Sequence, residues 1–185
     1  MQVPSSERLT YSMMDEADAE LLYQLDQDVE VMRYINGGNK TTREDIEQRF
    51  IPRLLRYRNP EQGWGLWKVS LKASQEYIGW ILIRPMHFFS EHPEYNNLEI
   101  GWRFFQKSWG FGYATEAAAR LIETVQVASN NGEINRIDRI SAIAMPGNQA
   151  SIGVMKKLGL NYLKTSIHRD PLGDQEVVYY EKSLS

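Results

Sequence analysis

Between Leu98 and Ala128 the hydrophobic pattern changes once, and two glycines mark the change. Leu98 to Phe105 reads as a strand. Ala114, Ala117, Ala118, Leu121, Ile122, Val125 and Ala128 recur at helical spacing. Trp109-Gly110-Phe111-Gly112 stands between them, and an apolar strand, Arg139 to Met145, follows the helix. A helix crossing between strands requires a sheet for it to cover, so the chain is confined to an α/β architecture with a mixed sheet.

The flanking segments fit that plan. Ser5 to Met14 reads as a strand and Asp15 to Gln27 as a helix with Asp15 at its N-cap. Ile35 to Asn39 reads as a loop, and Thr41 with Glu44 as a capping box opening a second helix that ends near Arg58-Asn59-Pro60. Leu66 to Leu71 and Tyr77 to Arg84 form a hairpin, and Met86 to Asn97 a polar loop. Pro146-Gly147-Asn148 starts a fourth helix, with Ile152, Met155 and Leu158 inward and Gly159 as its stop. Tyr162 to His168 and Glu176 to Lys182 close the chain as a hairpin. The predicted order is β, α, α, β, β, β, α, β, α, β, β. With 185 residues and 42% hydrophobic content, residues 1–185 suit a single domain with its own core.

Composition excludes several kinds of chemistry. There is no Cys, so no disulfide, thiolate metal site or Cys nucleophile; a reducing cytoplasm fits. The three His residues have no ligand spacing, and no metal site is expected. A formal charge of −3 is no footprint for nucleic acid. No apolar run is long enough to span a membrane, and the acidic N-terminus is no signal peptide.

Two glycines at a strand–helix junction are either a tight turn or an anion site. Glycine lets the backbone approach a ligand, and the helix N-terminus offers unpaired N–H groups and a positive dipole end. The Lys-Ser/Thr of a phosphate-binding Walker loop is missing, and Thr115 stands where a dinucleotide fingerprint needs its third glycine.

Residues 98 to 160 carry more than this loop. The strand holds Glu99-Ile100-Gly101-Trp102, and the loop runs Trp109-Gly110-Phe111-Gly112-Tyr113-Ala114-Thr115-Glu116. The fourth helix holds Asn148-Gln149-Ala150-Ser151 and ends in Lys156-Lys157-Leu158-Gly159-Leu160. In this order and spacing the segment resembles the GNAT superfamily of N-acetyltransferases, and within it the ribosomal-protein N-terminal acetyltransferase (RimJ/RimL-like) branch and its small-molecule relatives. Residues 5–97 and 161–185 match only in element order and length. Where the superfamily loop opens with Gln or Arg, this chain has Lys107, a point charge rather than a bidentate fork.

The resemblance implies a mostly antiparallel central sheet with splayed middle strands, flanked by helices, and acetyl-CoA as cosubstrate. Lys107, Trp109, Gly110, Phe111, Gly112, Tyr113 and Ala114 would wrap the pyrophosphate. Trp102, Arg103 and Phe104 would bond the pantetheine arm like an added strand. Asn148 and Ser151 would sit across the cleft.

Acyl transfer to an amine needs the free base, and at a pKa of about 10.4 only about one amine in 2,500 is neutral at pH 7. The resemblance offers Glu99 as the general base, directly or through water; its bland alternative is a rim carboxylate. Ser151 is offered as donor to the departing thiolate, or as a first-turn residue that only bonds backbone, and Tyr162 is its rival. The acceptor is a small-molecule amine or a peptide N-terminus; the oligomeric state is not readable. A CoA-binding sensor or an inactive homologue is the alternative function. Trp64, Trp67 and Trp80 read as core or pocket wall, and Arg53, Arg56 and Arg58 as a solvated helix face.

Overall fold

In the computed structural model, which describes residues 1–184, seven strands form one sheet. They are β1 (Leu9–Met13), β2 (Gly65–Leu71), β3 (Tyr77–Met86), β4 (Glu94–Phe104), β5 (Arg139–Ala144), β6 (Asn161–His168) and β7 (Gln175–Ser183). Their spatial order is β1–β2–β3–β4–β5–β7–β6, and every neighbouring pair is antiparallel except β4 with β5. Among the described residues no helix is long and apolar enough to cross a membrane, and no group of three His, Cys, Asp or Glu residues could hold a metal.

The parallel pair is the short one in the sheet. β4 and β5 are paired only from Asn97 to Glu99 against Arg139 to Ser141. Beyond that rung β4 runs on to Phe104 and β5 to Ala144 without a ladder between them. The middle of the sheet therefore forks, and the backbone edges of Trp102 to Phe104 and of Ala142 to Ala144 face a gap.

Alternation along β4 assigns the two faces of the sheet. Leu98, Ile100 and Phe104 join Ala117, Ala118, Leu121 and Val125 of helix α5 (Tyr113–Asn130) in the main core. Burying each Leu, Ile or Phe there contributes about 1.5–3 kcal/mol. Helix α6 (Gln149–Lys157) adds Ile152 and Met155 to the same core, and Gly159 follows it at φ 79°. The opposite face, carrying Leu66 and Leu82, is covered by α1 (Ala19–Leu25), by α4 (Ile51–Tyr57) and by Ile46, which follows the short α3 (Arg43–Asp45). A π-turn, Ile46–Phe50, joins α3 to α4.

Several expected boundaries move. The predicted loop at Ile35 to Asn39 begins two residues late, because Ile35 and Asn36 end an unpredicted helix, α2 (Val29–Asn36). Asp28 caps its start and Gly37 closes it in the left-handed region. The capping box is one residue later than expected: Thr42 pairs with Asp45, while Thr41 is buried and donates to Asp26. The loop after β3 shrinks to residues 87–93, because β3 reaches Met86 and β4 starts at Glu94. Arg53 and Arg58 are not solvated. Arg53 pairs with Asp170 and Arg58 donates to the Met14 carbonyl, leaving Arg56 exposed.

Candidate active site

The fork opens into a cleft of about 390 Å³ between α2 on one side and the starts of α5 and α6 on the other. β4 contributes Trp102, Arg103 and Phe104. The loop and α5 contribute Trp109, Gly110, Gly112, Tyr113 and Ala114, and α6 contributes Asn148 and Ser151. Residues 46 positions apart in sequence thus meet because α5 crosses from β4 to β5 and α6 leaves the far end of β5.

Local chemistry shapes the loop. Gly110 and Gly112 adopt φ 82° and 80°, a region L-residues enter at a cost. The first bond of α5 runs from Glu116 N–H to Gly112 O, so the N–H groups of Tyr113, Ala114 and Thr115 lack helical partners. Those donors and the dipole of an 18-residue helix give the loop end of the cleft a positive edge suited to an anion. Trp109 donates its indole N–H to the Phe104 carbonyl at 2.9 Å, which ties the loop to the end of β4.

Asn148 is the N-cap of α6: its Oδ1 accepts from Ser151 N–H at 3.1 Å. That bond uses the Ser151 amide and leaves the Ser151 hydroxyl without a hydrogen-bonding partner among the described residues, at the cleft wall. Arg103 is spoken for. Its Nη1 donates to buried Asp26 at 2.5 Å, and its guanidinium lies 5.0 Å from the Trp80 ring.

Four of the expected site residues lie elsewhere. Lys107 pairs with Glu76 and is not in the cleft wall. Phe111 is 58% exposed, stacked on Tyr113 outside the cleft. Tyr162 is 57% exposed; its hydroxyl meets Thr165 at 3.0 Å and its ring packs on Tyr180. It sits on the edge strand β6 and does not line the cleft.

Glu99 is the fourth. It occupies the last paired rung before the fork, but on the face away from α5. It is buried, and Arg84 opposite on β3 donates Nε–H to it at 2.8 Å. Burial opposes the Arg84 charge, yet the adjacent carboxylate outweighs it and raises the guanidinium pKa. The two lie beside a cavity of about 10 Å³, room for one water, which His87, His168 and Asp170 also line. His168 accepts from or donates to the Tyr179 hydroxyl through Nδ1 at 3.0 Å and stacks on His87. Burial pushes His168 below its ordinary pKa, against the pull of Glu99.

Three cleft features were missed from sequence. Tyr34 and Ile35 of α2 form its second wall, and Asp28 followed by Val29, Val31 and Met32 was the overlooked signal. Lys157, in the last turn of α6, also lines the cleft and has no ion-pair partner among the described residues. It is the free cation there, in place of Lys107.

The description "Acetyltransferase (GNAT) domain" matches residues 8–161 of the chain. The uncharacterized protein YkkB of Bacillus subtilis (strain 168) is 31% identical over 165 residues, 86% of each chain. A GNAT-family acetyltransferase from Bacillus anthracis superposes with TM-score 0.73 at 25% identity, over 100% of this chain and 99% of that one. RimL, the ribosomal L7/L12 alpha-N-protein acetyltransferase, shares the fold with TM-score 0.71 at 16% identity, over 98% and 97%. The chain belongs to the GNAT acetyltransferase family. It is an N-acetyltransferase that uses acetyl-CoA as cosubstrate.

Proposed function

We propose that this single domain acetylates an acceptor carrying one reactive primary amine, a small molecule or a peptide N-terminus, in the cytoplasm. The observation that carries the reading is the fork between β4 and β5, floored by the N-terminus of α5 and walled by Ser151.

Acetyl-CoA supplies a thioester whose carbonyl carbon the amine attacks. The free N–H groups of Tyr113 and Ala114 bind the pyrophosphate, and Lys157 balances its charge. The open edge of β4 from Trp102 to Phe104 bonds the pantetheine arm as an added strand. The Ser151 hydroxyl donates to the sulfur as the C–S bond breaks; Tyr162, outside the cleft, takes no part. The amine approaches from the Glu99 side. Arg84 holds one carboxylate oxygen, and a water in the adjoining cavity relays the amine proton to the other.

The charges around Glu99 support the acceptor class. Both carboxylates beside the cavity are paired with arginines, Glu99 with Arg84 and Asp170 with Arg53. A polycation would need surplus negative charge, and none is offered there. A screen of amines and N-terminal peptides, read by release of the CoA thiol, tests the proposal. Turnover of monoamines or peptides above polyamines is expected; selective turnover of polyamines would refute the acceptor class, and no turnover of any amine the chemistry.

A further inference from the structure

One cation beside the glycine loop has no place in the cleft. Arg8 stands just before β1, far from the loop in sequence, and its side chain is 43% exposed. It donates Nε–H to Glu116 at 2.7 Å and Nη1–H to the Phe111 carbonyl at 2.9 Å. Its backbone N–H and the Ser6 hydroxyl donate to the same Glu116 carboxylate. The guanidinium lies 4.6 Å from the Tyr113 ring, on which Phe111 stacks. Its Nη2 is 3.7 Å from where a Cβ on Gly112 would be, and it makes no hydrogen bond among the described residues.

Two consequences follow from these contacts. Glu116 puts a negative charge in the first turn of the helix whose N-terminus must take a polyanion, and Arg8 cancels it. After doing so Arg8 still presents one free N–H edge, outside the cleft wall and next to the Phe111 carbonyl that it bonds. The pyrophosphate belongs inside the cleft, on the amides of the loop. A phosphate that reaches Arg8 must lie further out along the cosubstrate. CoA carries one such group, the 3′-phosphate of its adenosine.

We propose that Arg8 reads the 3′-phosphate of CoA through its free Nη2 edge. The proposal rests on the acetyl-CoA site described above. An arginine–phosphate bond is charge-assisted, and at an exposed position it is worth about tenfold in affinity.

The test is calorimetric binding of CoA and 3′-dephospho-CoA to the full chain, wild type and Arg8→Gln. Wild type is expected to prefer CoA by about tenfold. In Arg8→Gln that ratio is expected to fall to near unity. Loosening of the loop weakens both ligands alike and leaves the ratio unmoved, so a purely structural Arg8 would keep the preference. A retained preference in Arg8→Gln, or none in wild type, overturns the proposal. Should Arg8→Gln fail to fold, the wild-type Arg8 Nε–H resonance decides. It is expected to shift with CoA and not with 3′-dephospho-CoA; equal shifts with both overturn the assignment. Wild type that binds neither ligand would overturn the cosubstrate site itself, a separate result from an altered ratio.

Discussion

Replacing Gly112 by alanine separates the conformation of the glycine loop from the space around it. Gly112 sits at φ 80°, and the nearest atom to an added Cβ is Arg8 Nη2 at 3.7 Å, an ordinary contact. The methyl group itself therefore clashes with nothing. Its cost is conformational, about 1–2 kcal/mol for an L-residue held in the left-handed region. Unfolding entropy of about 2.1 cal/mol/K per residue, over 185 residues, converts this to a fall in Tm of about 3–5 °C. If the loop instead relaxes to negative φ, the N–H groups of Tyr113 and Ala114 turn from the cleft. Each charge-assisted bond lost there weakens acetyl-CoA by about 10–100-fold. Thermal melts and calorimetric Kd for acetyl-CoA, measured on the same preparation, read both outcomes. One of the two losses must appear. Unchanged Tm together with unchanged Kd would refute the claim that positive φ at Gly112 builds the anion site.

Three further variants test the other groups. Ser151→Ala is expected to lower kcat at every pH with the acetyl-CoA Kd nearly constant, whereas Glu99→Gln lowers kcat by about 10²–10⁴-fold near neutrality and recovers at high pH. Glu99→Gln also strips the charge from a buried pair with Arg84, so a stability loss of up to about 3–5 kcal/mol is expected in urea; wild-type kcat in a folded Glu99→Gln would dismiss the base. The lowered pKa of His168 sets a pH slope. The unfolded chain takes up a proton near pH 6.5 that the folded chain resists, so stability falls as pH drops through and below that value. Urea titrations on either side of it should show a shallower slope in His168→Asn, and identical slopes would refute the cause.

Local sequence determined what local physics controls. The period change at Trp109 to Gly112, the apolar stripe of α5, the Gly159 stop and the two hairpins were all legible, because propensity, capping and left-handed turns depend on neighbouring residues. The same holds for the free amides of the loop, since a helix N-terminus carries them wherever it is placed. Helix α2 was legible in principle through Asp28 and Gly37, but its eight residues are too few to give a firm period. Which charges face the cleft was not legible at all. Lys107 is taken by Glu76, thirty-one residues back, and Lys157 is left free. Glu99 meets Arg84 because β3 and β4 pair in one register, and Arg8 meets Glu116 across 108 residues. A charge acts over a few ångströms, and only the folding of distant segments against one another decides which charges come that close.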